Sequence, residues 1–85
     1  MDYEAEVILM EECGELVQAI SKVMRTDKRP AMVADMIQEM ADVSLLLSLV
    51  KDKYGVEQSE IERRMRDKAH KLQRWSDIYD TQTNL

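Results

Sequence analysis

The sequence contains no Phe, one Cys, one His, one Pro and two Gly. Each shortage excludes something. With so few Gly and Pro there is little material for the turns that a β-protein needs. The lone Cys13 cannot form an internal disulfide, which fits a reducing, cytoplasmic setting. His70 has no second His or Cys at ligand spacing, so it reads as a surface residue rather than part of a zinc site. No apolar run approaches the length of a membrane span, and no signal peptide is expected. Positive charge is also short. The chain has 12 Lys and Arg against 17 Asp and Glu, a net charge of −5, which argues against general nucleic-acid binding.

What remains is helix-forming. Leu, Ile and Val with seven Met supply the apolar volume of the 85 residues, and Ala, Leu, Met, Glu, Lys and Arg favour helix. The length predicts a single domain over 1–85, near the lower limit for a self-sufficient core. A first helix is expected over about 2–25, with Asp2 or an early Glu at its positive end. Its apolar stripe is Leu9, Cys13, Leu16, Ile20 and Val23 or Met24, which makes Cys13 a small core residue. Gly14 weakens this helix by about 1 kcal/mol relative to Ala, either as a tolerated residue or to admit a close neighbour. Thr26, Asp27, Lys28 and Arg29 form the connection, a solvated basic patch with Arg25. Pro30 suits the first turn of the second helix.

The second helix is expected over about 30–54, stopped by Gly55. One face carries Val33, Met36, Ile37, Met40, Val43, Leu47 and Val50. The opposite face is polar in its first half, with Asp35, Gln38 and Asp42, but Leu45, Leu46 and Leu49 follow. A helix that is apolar all round needs neighbours all round. This surplus predicts a homo-oligomer, dimer or tetramer, in which paired hairpins build a four-helix-bundle core. The third helix should begin between 56 and 59, where Ser59 to Glu62 have capping-box spacing, and end near 77. Ile61, Met65, Ala69, Leu72 and Trp75 give it one narrow stripe on a charged cylinder that includes Lys68, Lys71 and Arg74. Residues 81–85 read as a frayed tail. The fold class is all-α, a helical hairpin plus a third helix.

Five acids stand out: Glu11, Glu12 and Glu15 on the first helix, Glu39 and Asp42 on the second. Residues three or four apart share a helix face. An exposed Glu is commonly matched at that spacing by Lys or Arg, yet none of these five is. Same-face repulsions of about 0.2–0.5 kcal/mol each are left uncompensated. Packing the two helices antiparallel would gather four or five anions, which cannot share a site unless cations neutralise them or some stay protonated. An all-oxygen set suits Mg2+ or Mn2+. The bland reading is a set of solvated faces.

Glu-Glu-x-x-Glu followed by Glu-x-x-Asp resembles the signature of the MazG-like all-α nucleoside triphosphate pyrophosphohydrolases, over about 9–75. The resemblance implies Mg-dependent cleavage of a nucleoside triphosphate between its α- and β-phosphates. It assigns Glu12, Glu15, Glu39 and Asp42 to the metal, and Glu11 to the attacking water or a second ion; spacing alone does not separate Glu11 from Glu12. It further implies that Lys68 and Arg74, with Lys71 between them, meet triphosphate oxygens. Many relatives carry a longer segment before the acidic motif that helps form the base pocket, so a partner subunit is expected to complete it or selectivity to be loose. Two alternatives remain. One is phosphoribosyl-ATP pyrophosphohydrolase, although Leu9 and Met10 stand where its basic residue and Gly are expected. The other is a non-catalytic helical oligomerisation module.

Overall fold

A computed structural model describes residues 2–78 of the chain. It contains three helices, α1 (Glu4–Arg25), α2 (Pro30–Lys53) and α3 (Gln58–Trp75), and no strand among the described residues. The fold is all-α, as the composition dictates. The tail expected over 81–85 lies outside the described residues. The chain forms two compact units, Met1–Tyr54 and Gly55–Leu85.

The first unit is an α1–α2 hairpin. Its seam runs through Ala5, Leu9, Glu12, Leu16, Ala19 and Val23 on α1, and through Met32, Met36, Glu39, Val43, Leu46 and Val50 on α2. Ala19 is buried and the others are half-buried. The spacing alternates between four and three residues, the repeat with which two helices keep one seam in register. Leu9, Leu16 and Val23 on α1 and Met36, Val43 and Val50 on α2 keep their expected places, while the positions between them in the expected apolar stripes shift by one step around each helix. Cys13 is exposed, not a core residue. Ile20, Met24, Ile37, Met40 and Leu47 are exposed as well, whereas Leu46, expected on the surplus face, packs inward. Gly14 has no neighbour within 4 Å of where a Cβ would stand, so it admits no close approach within this chain.

The connection closes tightly. Thr26 is the C-cap of α1, and Asp27 and Lys28 follow with φ of 51° and 66°. The Lys28 N–H donates to the Val23 carbonyl at 2.9 Å and the Asp27 N–H to that of Met24 at 3.4 Å. This pair of bonds is a Schellman motif, usually built on Gly; here Asp27 takes the left-handed position. Pro30 opens α2, where its missing N–H leaves nothing unsatisfied.

At the other end a polar clamp ties the start of α1 to the end of α2. Lys53 Nζ donates to Glu6 Oε2 at 2.6 Å and to the Asp2 carbonyl, and Tyr54 Oη donates to the same Glu6 oxygen at 2.6 Å. The Tyr3 and Tyr54 rings lie 5.1 and 5.7 Å from the ammonium, within cation–π range. The bonds from Lys53 and then Tyr54 hold the Glu6 carboxyl down at about 2, against an ordinary value of 4.5. A depressed folded-state value means that this contribution is complete above 4.5 and is lost as pH falls toward 2. Glu6→Gln should therefore melt lower than the parent at neutral pH and lose less stability across that acid window. Parallel acid limbs in thermal melts would show that the clamp contributes nothing.

The second unit carries α3. Its N-cap is Glu57, whose carbonyl accepts from the N–H groups of Glu60 and Ile61 at 3.1 and 3.3 Å. The capping box expected at Ser59 is not formed, because the helix starts two residues before it would allow. Glu60 instead pairs with Arg63 and Arg64, each at 2.7 Å. Ile61, Ala69 and Leu72 are half-buried, while Met65, Trp75 and His70 are exposed. Gly55, at φ 64°, is the left-handed residue that ends α2 past its Tyr54 cap.

Candidate metal centre

Two seam positions at the middle of the hairpin are occupied by acids. Glu12 on α1 and Glu39 on α2 sit where Leu and Val sit elsewhere along the seam. Glu15, one turn beyond Glu12, is exposed beside them. Glu12, Glu15 and Glu39 each offer a carboxylate oxygen, and these oxygens lie within 4.8 Å of one another. One oxygen of Glu12 and one of Glu39 are buried without a hydrogen-bond partner. A buried polar atom left in that state is costly.

The electrostatics tell the same story. The Glu39 carboxyl is pushed up to about 7, first by burial, then by the adjoining Glu12 carboxyl and by the charges of Glu15, Glu12 and Asp42. The cluster is too negative to keep every carboxylate ionised unless a cation joins it. Orphaned oxygens in a donor set made only of carboxylates fit a hard divalent cation.

Of the five acids singled out in the sequence, three converge. Asp42 is half-buried and stands outside that trio. It accepts a hydrogen bond from Gln38 Nε2 at 2.9 Å, yet its charge still reaches Glu39. Glu11 is exposed and outside the group. The α1 and α2 acids thus come together because the seam is antiparallel, with Glu12 and Glu15 passing Glu39 and Asp42 in opposite directions.

A groove of about 280 Å³ opens off the cluster. Glu15 and Glu39 line it together with Gln18, Ala19 and Lys22 from α1 and Met32, Asp35 and Gln38 from α2. Sequence reasoning missed it as a unit: Asp35 and Gln38 read only as polar positions on α2, and Lys22 was passed over. The signal was present, since Gln18 and Lys22 lie one and two turns past Glu15, and Asp35 one turn before Glu39.

On α3, Lys68 and Lys71 line a separate shallow concavity of about 400 Å³ with Arg63, Arg64 and Asp67. Arg63 bridges Asp67 at 3.4 Å. Neither Lys68 nor Lys71 takes part in an ion pair among the described residues. The Arg74 guanidinium lies 5.9 Å from the Trp75 ring. Lysines left unpaired in this way are suited to anions.

The sequence model of the MazG nucleotide pyrophosphohydrolase domain matches residues 4–75 of the chain. That span covers all three helices and every acid of the cluster. No curated protein and no solved structure matches the chain.

Proposed function

Given that the chain belongs to the MazG nucleotide pyrophosphohydrolase family, we propose that it hydrolyses nucleoside triphosphates, ribo or deoxyribo, between the α- and β-phosphates in a Mg2+-dependent reaction. The observation that carries this reading is the convergence of Glu12, Glu15 and Glu39 around orphaned buried oxygens. Glu12, Glu15, Glu39 and Asp42 would hold the ion, Mg2+ or Mn2+. When bound, it supplies charge neutralisation and Lewis-acid polarisation of phosphate oxygens.

The remaining work belongs to the chain. Glu11, exposed and next to Glu12 in the chain, orients or deprotonates the attacking water. Gln38 fixes the Asp42 carboxylate through its amide. Lys68, Lys71 and Arg74 bind triphosphate oxygens. Products are a nucleoside monophosphate and pyrophosphate, the outcome of a house-cleaning activity in the cytoplasm. Both compact units belong to one functional domain in this reading, because the family match spans them. A pyrophosphate-release screen over all NTPs and dNTPs, with and without Mg2+, tests it. Release that is absent for every nucleotide, or equal without divalent ions, would overturn it.

The α3 assignment has its own test. Lys68→Ala or Arg74→Ala should raise KM or lower kcat by about tenfold, the scale of one charge-assisted phosphate contact. Metal binding measured without nucleotide should not change. Kinetics matching the parent would return these residues to a solvated face.

The assembly proposed with this function is a homo-oligomer, a dimer or tetramer, joined through α2. Leu45, Leu47 and Leu49 are 60%, 52% and 49% exposed on the hairpin, a density of apolar surface that isolated proteins seldom carry.

A further inference from the structure

We infer that the groove beside the carboxylates is the nucleoside subsite, and that Asp35 and Lys22 select bases bearing an amino group. This rests on the nucleotide reading above and names the substrates within it. Glu15 and Glu39 belong both to the cluster and to the groove wall. A polyphosphate held at the cluster therefore leaves the uncharged remainder of the substrate to lie in the adjoining space. The composition of that space favours a base over further phosphate. Beyond Glu15 and Glu39, the formal charges of Lys22 and Asp35 cancel, and an anion placed there would meet the Asp35 carboxylate. Ala19 and Met32 offer apolar surface for a ring, with a few polar groups around it, the usual make-up of a small-molecule pocket.

The polar groups read hydrogen bonds in a definite sense. A carboxylate only accepts and an ammonium only donates. Among the described residues, neither Asp35 nor Lys22 forms an ion pair, so both remain open to a ligand. The Gln38 amide is oriented by its bond to Asp42. Cytosine and adenine place an amino donor beside a ring-nitrogen acceptor. Guanine places two N–H donors beside a carbonyl. Each can give to Asp35 and accept from Lys22. Uracil and thymine present one N–H flanked by two carbonyls, so a carboxylate that takes the N–H is crowded by oxygen lone pairs. Polar mismatches of this kind discriminate strongly, because a group left facing the wrong partner stays unpaired.

The test is kcat/KM with Mg2+ on dCTP, dATP, dGTP, dUTP and dTTP for the parent, Asp35→Asn, Asp35→Ser and Lys22→Gln, with helicity checked by circular dichroism. The parent should favour at least one amino-bearing base over dUTP and dTTP by about tenfold or more. Asp35→Asn, whose amide can donate to a carbonyl, should narrow or invert that ratio. In a parallel titration, the side-chain amide resonances of Gln18 and Gln38 should shift more with dCMP, dAMP or dGMP than with dUMP. A parent that prefers dUTP or dTTP, a ranking unchanged in both Asp35 variants, or amide resonances indifferent to the monophosphates would each overturn the inference while leaving the hydrolase reading in place. A parent inert toward every nucleotide would overturn that reading, and the subsite with it.

Discussion

Glu15→Gln should lower turnover by about 100-fold or more while leaving the helices intact. Removing a partner that merely orients a metal ligand costs about 10–100-fold, and loss of a ligand should exceed that. Glu15 is exposed, so the amide adds no buried polar group. Its charge helps to push the Glu39 carboxyl up to about 7, so its removal should raise the melting temperature of the metal-free protein. The parent has a related signature. A carboxyl raised in the folded state contributes stability that is complete below its ordinary value of 4.5 and is lost as pH climbs through about 7. Metal-free parent should therefore weaken over that interval and recover when Mg2+ is added at pH 8. Mg2+ affinity should rise over the same interval, because the ion competes with a proton at Glu39. Calorimetric titration at several pH values, beside a turnover assay of the variant, checks all of this. Full activity in Glu15→Gln, or pH-independent Mg2+ binding, would remove Glu15 or Glu39 from the centre.

Leu45→Glu combined with Leu49→Glu should dissociate the proposed oligomer. Both side chains point away from the hairpin seam, and burying each contributes about 1.5–3 kcal/mol, applied twice by two-fold symmetry. The hairpin has few internal resources to offset that loss, since Ala19 is its only buried apolar residue among those described. Dissociation should therefore bring a large fall in thermal stability. Leu46→Glu is a different experiment, because Leu46 lies in the seam and its replacement would break the hairpin itself. Sedimentation at micromolar concentration distinguishes the cases. A parent that sediments as a stable monomer would end the proposal.

The helices were legible in the sequence to within a few residues, because Pro30 and Gly55 mark real boundaries and the apolar spacing is regular. The phase of the seam was not. On α1 two stripes have equally good spacing, one through Cys13 and Ile20, the other through Glu12 and Ala19. Hydrophobicity favours the first, but the second forms, with an Ala where the helices pass and acids where a cation can lie. The repeat alone cannot distinguish a stripe that is apolar from one that is functional. The three converging acids were legible for a different reason: their missing Lys and Arg partners at helical spacing. Asp27 hid the Schellman turn because the residue usually found there is Gly.

That turn has a consequence for how the centre could be retuned. Asp27 and Lys28 hold left-handed backbone that non-glycine residues occupy reluctantly, and in doing so they fix how far α2 has slid past α1. The pairing of Glu12 and Glu15 with Glu39 is thus a matter of chain length. Substitutions within the four-residue connection would alter stability while preserving which acids meet. An insertion or deletion of one residue would have to be absorbed within the turn, because a one-residue slip of either helix, about 1.5 Å and a quarter-turn, would carry Glu39 out of the seam. The connection works as a ruler for an acidic cluster of which it is not a part.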